Sequence, residues 1–504
     1  MLIHQKLSLW FFIIAIIFFT AFRIILPIHT GQFGPDEALF ALRAKQISNC
    51  LPHPEKMIGP KSSQQVVIDL VPPCGKIPLK GLMGRLGVSY GPYLSYWLTF
   101  LYLITNFNLS FIFLISSLLF ILTAFFIAES VSKQRKTFLW ISVFLLSFTA
   151  PLMVTFSLNA LWDGPWLIHL SALIIYLSTR THNKKVIDFI VIGSLCGIAI
   201  GSHIQTIPFV FGFGIWLYLR TNNKKALLPF YFGLLLFGVP YLFKMVFSIG
   251  KIITHTHTFL QNKNITDLFL NFGYFLRFIG LHPYSLINTS NSLLLKLEFL
   301  FAWSSVGVQC VLLFTYIIYI YYYYKHSLRK TNDQILKLIT ILIVVYAPLA
   351  LIGTIGREPQ ESMMIWWIGP VLLAFFISKV HSFKIKWALL TIVVFFQISL
   401  SFMQYLPRLY QKYYLSYPHG PNYQTYQIIS RQICTIVKKQ GRSYRINIAI
   451  DSTIPKHQLL FLIMPAITAI TDSDCTTKIK FVEKQQAHNL QITADWKKQK
   501  LLVK

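Results

Sequence analysis

The sequence has few charged residues and especially few acidic ones. Only 12% of its 504 residues are charged, and 17 acidic residues stand against 46 Lys and Arg. A soluble domain carries about 25% charged residues, so this composition argues against a soluble globular protein. The net charge of +29 could suit nucleic-acid binding. However, the basic residues lie in short clusters between apolar runs and form no continuous patch, so we exclude nucleic acid as a partner.

The sequence also lacks the local signatures of soluble catalytic domains. It has no Walker loop, no glycine-rich dinucleotide turn, no G-x-S-x-G and no H-E-x-x-H. A nucleotide-activated donor therefore has no recognisable binding module in this chain.

What the sequence does have is a series of apolar runs long enough to cross a bilayer. Clusters of Lys and Arg mark the cytoplasmic loops, and all of them fall inside only if residues 90–105 do not cross. That stretch starts with Gly-Pro and is rich in Tyr and Trp, which predicts an interfacial or re-entrant helix. If it crosses, every later cluster moves outside. The predicted spans are 7–28, 108–128, 137–157, 163–179, 186–202, 204–220, 226–248, 297–324, 335–356, 362–380 and 386–405.

The composition becomes more polar after Tyr405, where "YRINIAID", "TKIKFVE" and "NLQITAD" predict short strands around a helix. We therefore predict an all-α polytopic membrane protein of about eleven transmembrane helices plus juxtamembrane helices, over residues 1–405. Residues 29–107 form its first outer loop. Residues 406–504 form a small C-terminal α/β domain on the extracytoplasmic side.

Four of the six cysteines fall on the predicted outer side, where disulfides persist. We predict the pairs Cys50–Cys74 and Cys434–Cys475, with four unpaired thiols as the alternative.

The most distinctive polar motif is "GPDE", which places Asp36 and Glu37 side by side after the first span. Adjacent carboxylates repel each other, so a metal, a base or hydrogen bonds should hold them. A catalytic base is one interpretation, and a charged helix N-cap is the other. Asp163, in the short outer turn "ALWDGPW", is a second candidate acid or an ordinary N-cap.

Basic residues on the same face could stabilise a departing phosphate, or could contact solvent and lipid headgroups instead. They are Arg43, Lys80, Arg85, His203 and Arg357. A divalent metal is the one cofactor that the residues suggest. Its candidate ligands are Glu37, His255, His257 and His282, and the spacing of the histidines is a weak signal.

The order of these motifs resembles the GT-C membrane glycosyltransferases, in the branch with the dolichyl-phosphate-mannose protein mannosyltransferases and the aminoarabinose transferases. The matching segments are "GPDEALFALRA", "YGPYLSYWL", "ALWDGPWLIHL", "GIAIGSHIQT" and "GREPQESMMIWWIGP", which together cover roughly residues 1–405. Two departures stand out: Gly91-Pro92 replaces the family's usual Pro-Pro pair, and His203 stands where members often have Lys.

The resemblance implies a polyprenyl-phosphate-sugar-dependent glycosyltransferase in a bacterial inner membrane, with its active site facing outward. It implies an inverting transfer of a hexose or pentose to a lipid, glycan or protein hydroxyl. Asp36 would be the base, Glu37 its support and Asp163 the second acid, while Lys80, Arg85, His203 and Arg357 would contact the phosphate. One alternative is a transporter or flippase of lipid-linked sugars, although such proteins tend to show internal repeats, and we find none here. A second alternative is an inactive membrane scaffold whose outer α/β domain binds a partner.

Overall fold

The structure is a computed structural model. It describes residues 13–14, 16–27, 41, 44, 47–48, 93–105, 108–132, 137–158, 163–180, 185–221, 224–247, 334–352, 363–410, 431, 434–435, 444–450, 479–481, 489–495 and 500–503.

The described residues up to 410 are helical apart from short connections. The helices are α1 Ile16–Pro27, α2 Tyr93–Ile104, α3 Leu109–Val131, α4 Thr137–Thr149, α5 Pro151–Leu158, α6 Asp163–Arg180, α7 Val186–Ser202, α8 Ile207–Arg220, α9 Leu228–Phe247, α10 Gln334–Ile352, α11 Ile368–Lys379 and α12 Phe383–Tyr410.

Apart from α2, these helices fall where the sequence predicts spans, and the predicted span 297–324 lies outside the described residues. By length and composition, α3 is the one described helix that could cross a membrane, with 23 residues. Several of the others are apolar but shorter. The predicted number of transmembrane helices therefore stays a prediction.

The exposed face of α3 is apolar, unlike the exposed face of a helix in a soluble protein. Its exposed residues include Phe111 (53% exposed) and Leu118 (48%), whereas Ser116, Ser117 and Thr123 are buried. A helix in water normally exposes its polar residues and buries its apolar ones. In a bilayer the outer face meets hydrocarbon, and small polar residues pack between helices. An apolar exposed face is typical of a helix whose outer side meets lipid.

One predicted span is wrong in detail, because residues 137–157 form two helices and not one. The break falls at Ala150, between α4 and α5, and its physical reason is Pro151. Proline has no backbone N–H and its ring clashes with the preceding turn, so it interrupts a helix. The carbonyl of Ala150 starts α5 by accepting from the Met153 N–H at 2.9 Å.

The α2 helix has 12 residues. At about 1.5 Å per residue it is about 18 Å long, against about 30 Å for a hydrocarbon core. The helix α11, in a predicted span, also has 12 residues, so the prediction that residues 90–105 do not cross stays a prediction.

Helices α7 and α9 approach each other closely because glycines line their contact. A Cβ atom added to Gly193 would lie 2.0 Å from the Phe230 carbonyl oxygen. One added to Gly233, on the opposite helix, would lie 2.3 Å from the Ile190 oxygen. Small residues at helix contacts let backbones meet in this way, which is typical of helix packing within membranes.

The three predicted C-terminal strands are present as β1 Tyr444–Ile450, β2 Ile479–Phe481 and β3 Asn489–Asp495, and a fourth strand, β4 Lys500–Val503, completes the sheet. The strand order is β2-β1-β3-β4. Strand β1 pairs with β2 and β3 in parallel, and β3 pairs with β4 antiparallel. The boundary at residue 406 and the outer position of this unit stay predictions.

Of the cysteines, Cys196 is a free, buried thiol in α7. Cys434 is disulfide-bonded. Its predicted partner Cys475 lies outside the described residues, as do Cys50 and Cys74. Neither predicted pair is therefore complete within the described part of the chain.

Candidate functional site

Two of the predicted site residues fall within the described parts of the chain. Asp163 is the first residue of α6, where its backbone is described, and His203 follows α7 directly. The other predicted residues lie outside the described residues: Asp36, Glu37, Arg43, Lys80, Arg85, His255, His257, His282 and Arg357. The position of the site therefore stays a prediction, and the structure describes helices that lie near some of these residues in the sequence.

Ala44, in the segment that follows Asp36 and Glu37, contacts α2. Its residues Ala41, Ala44 and Ile47 recur every third position, are helical and are buried. The Thr99 hydroxyl of α2 donates to the Ala44 carbonyl oxygen at 3.3 Å. Ala44 therefore packs against α2.

Tyr93, the first residue of α2, contacts both α9 and the end of α7. The Tyr93 hydroxyl donates to the Phe237 carbonyl oxygen of α9 at 2.8 Å. Its ring lies so close to Gly201 that a Cβ there would be 2.3 Å from Tyr93 Cε2. Burial, and to a smaller extent Tyr96, raises the pKa of Tyr93, so its hydroxyl remains a donor at neutral pH. Gly201 is thus needed for this contact, two residues before His203.

The middle of α2 meets the start of α6. The Trp97 and Trp166 rings stack with centroids 4.8 Å apart and an interplanar angle of 23°. Trp166 Nε1 donates to the Ser202 Oγ at 3.0 Å. Because Trp166 lies in the first turn of α6, this pair fixes the helix that begins at Asp163 against both α2 and α7.

The start of α6 also touches the late motif "ESMMIWW". A Cβ added to Gly164 would lie 2.7 Å from Met363 Sδ and 2.9 Å from Phe156 Cδ1. Met363 and the four residues after it are buried. A larger residue at this position would require the Met363 side chain and the Phe156 ring to shift, so Gly164 has a packing role that the sequence does not reveal.

His203 is buried and its backbone ends α7. Burial lowers its pKa to about 4, so the ring is neutral at pH 7. The Gln205 N–H donates to His203 Nδ1 at 3.1 Å, which places the ring proton of the neutral form on Nε2. The predicted contact with a phosphate would then come from a neutral N–H donor and not from a cation.

No group of three or more His, Cys, Asp or Glu that could hold a metal ion occurs among the described residues. The predicted metal ligands Glu37, His255, His257 and His282 all lie outside them. The metal site therefore stays a prediction.

Comparison with known proteins does not show a family for this chain. No protein-family model matches the sequence, and neither does any curated protein. Among solved structures, the chain is similar to ArnT from Cupriavidus metallidurans in the apo state. The sequence identity is 11% and the TM-score 0.44, over 90% of this chain and 74% of that one. At this level the likeness supports no conclusion about this chain.

Proposed function

We propose that this chain is an integral-membrane glycosyltransferase of the GT-C type. It transfers a sugar from a polyprenyl-phosphate donor to an acceptor hydroxyl on the extracytoplasmic face of a bacterial inner membrane. The observation that carries the proposal is the meeting of separate motifs around one short helix. Segments near residues 44, 166 and 201 each contact α2, and Met363 contacts Gly164 beside them.

A site of this kind suits a lipid-linked substrate for two reasons. The exposed face of α3 is apolar, which is expected of a protein surrounded by lipid. On α2, Phe100 and Ile104 are more than half exposed while Leu98 and Tyr102 are buried. A helix rich in Tyr and Trp with exposed aromatic residues is typical of the membrane interface, where the headgroup of a polyprenyl phosphate lies.

The proposed chemistry is an inverting displacement. The acceptor oxygen attacks the anomeric carbon as the bond from that carbon to the phosphate oxygen breaks. Asp36 takes the acceptor's proton, and polyprenyl phosphate leaves as an anion with the electron pair of the broken bond. No acid needs to protonate this leaving group. Lys80, Arg85 and Arg357 would stabilise its charge, and the neutral His203 would donate a hydrogen bond.

The test uses purified full-length protein in proteoliposomes. A panel of polyprenyl phosphate hexoses, pentoses and aminosugars is offered with membrane lipids and hydroxyl-containing peptides as acceptors, and products are identified by mass spectrometry. We expect one donor to be consumed by wild type, and its product to be absent with Asp36→Asn. Donor that crosses the bilayer without being consumed would instead indicate a flippase. Neither consumption nor movement of any donor would refute both functions.

A further inference from the structure

Arg23 of α1 is a buried charge that the proposed chemistry does not use. It is 2% exposed. Its Nη1 donates to the Phe148 carbonyl oxygen at 2.6 Å, and its Nη2 donates to the Met153 carbonyl oxygen at 3.2 Å. A charge buried in a helix bundle is costly unless its surroundings compensate for it, so these contacts need an explanation.

The two carbonyls lie on either side of the break at Pro151. Phe148 is in the last turn of α4, where carbonyls lack helical partners and the helix dipole is negative. A guanidinium is the side chain best suited to two carbonyls at once, because its N–H donors form a rigid fork. Arg23 also lies over the Phe148 ring, with Cζ 4.9 Å from the centroid. One side chain of α1 therefore holds the junction between α4 and α5.

The same guanidinium is connected to α6 through α3. Its Cζ is 5.4 Å from the centroid of Phe120, and the His169 ring meets Phe120 edge-on at 4.7 Å. Thr123 donates its hydroxyl to the Leu119 oxygen, so its Oγ1 accepts from His169 Nδ1–H at 2.7 Å. His169 lies less than two helical turns after Asp163.

The backbone of Arg23 is also held, because Ser117 of α3 donates to its carbonyl oxygen at 3.3 Å. The Arg23 cluster, defined as Arg23, Phe120, Thr123, Phe148 and His169, therefore joins four helices. One of these helices, α6, begins with the candidate acid Asp163.

We propose that Arg23 is a positioning residue, which fixes the α4–α5 junction and the start of α6, where the candidate acid Asp163 lies. It acts through the α4–α5 junction and through Phe120 and His169, without touching the substrate. The effect on transfer rests on the proposed function, whereas the mechanical connection does not. A shift of about 1 Å in reacting groups can cost about a hundredfold in rate, so a residue that does not touch the substrate can still affect catalysis.

The test compares Arg23→Lys with Arg220→Lys. Lysine keeps the charge but not the fork. Arg220 is a matched control, because it also donates to a carbonyl, that of Ser178, at 2.7 Å and lies 5.1 Å over an aromatic ring, that of Trp216. It joins the far end of α6 to the end of α8, away from Asp163.

Hydrogen exchange and steady-state transfer are measured on both variants in proteoliposomes. For Arg23→Lys we expect amides of α5 and the first turns of α6 to exchange at least about tenfold faster, with α7 and α9 unchanged. We expect kcat to fall at least about tenfold with KM for the donor within about threefold. Arg220→Lys should leave both the α5 exchange and kcat as in wild type.

Three results would overturn the inference: unchanged exchange in α5, equal acceleration throughout the protein, or the same fall in kcat for Arg220→Lys. If wild type transfers no sugar, the proposed function fails, while the exchange data still decide whether Arg23 holds α5. If Arg23→Lys does not fold, Thr123→Val replaces it. This variant removes the acceptor for His169 Nδ1–H and should accelerate exchange at the start of α6, with the same fall in kcat.

Discussion

The close contact between α7 and α9 makes a quantitative prediction for Gly193→Ala. The added Cβ would lie 2.0 Å from the Phe230 carbonyl oxygen. Carbon and carbonyl oxygen approach to about 3.3 Å in proteins, so the backbones must separate by about 1.3 Å. Because that oxygen belongs to the helix backbone, no side-chain rotation can relieve the clash.

Separation at Gly193 affects more than one contact. Gly197 and Gly233 make similar close approaches on the same helix pair, at 2.6 and 2.3 Å for an added Cβ. Overpacking in a packed interior costs about 1–3 kcal/mol, and the loss of these neighbouring contacts places Gly193→Ala near the upper end, about 3 kcal/mol. At about 2 °C per kcal/mol in a large chain, the melting temperature should fall by about 6 °C.

Gly214→Ala is the matched control, since this glycine also lies inside an apolar helix and an added Cβ there meets nothing within 4 Å. Alanine should leave stability unchanged or raise it by up to about 1 kcal/mol, because it favours helix more than glycine does. The assay is thermal unfolding of both detergent-solubilised variants beside wild type. Equal melting temperatures for the two variants would show that α7 and α9 do not pack through these glycines.

Three further predictions concern the site and the topology. Asp36→Asn should lower transfer at least about a hundredfold, or ~2.7 kcal/mol of barrier, with an unchanged melting temperature, as measured by product formation and thermal unfolding. His203 has a folded pKa of about 4 against 6.5 in the unfolded chain. The unfolded state therefore binds more protons between these two pH values, so the free energy of unfolding should fall by up to about 3 kcal/mol as the pH drops from 7 to 4. Unfolding measured across this pH range should show a smaller fall for His203→Asn than for wild type. An engineered cysteine at Asn422 should react with an impermeant thiol reagent on intact cells, and one at Asn183 should not; labelling of Asn183 would reverse the predicted orientation.

The positions of the helices could be predicted from the sequence because each one is a long apolar run bounded by polar or basic residues. From "TFLWISVFLLSFT" onward, the described helices lie within a few residues of the predicted spans. The break at Pro151 was missed because a run of apolar residues dominates the pattern there, although proline gives a signal that could have located it. The three C-terminal strands were predicted for the same kind of reason, since apolar residues alternate with polar ones along them.

The arrangement of the site could not be predicted in the same way, because its contacts join residues that are distant in sequence. Nothing in "ALWDGPW" shows that Gly164 must admit Met363, or that Trp166 stacks on Trp97. The predicted positive charge of His203 depends equally on context, because burial decides it. A periodic pattern reports which face of a helix is buried, but it does not report which other helix covers that face.

Arg23 is a charged residue in an apolar run that has a structural role. As a single basic residue near the end of an apolar run, it gives the same sequence signal as a headgroup anchor. The structure assigns it a different role, because its guanidinium is directed inward to two backbone carbonyls and two aromatic rings. A protein that exposes its apolar residues to lipid can use an inward-facing charge to hold a proline break, since no water competes for those carbonyls. In a chain with so few charged residues, a buried charged side chain is therefore a candidate for holding helices in position around a site.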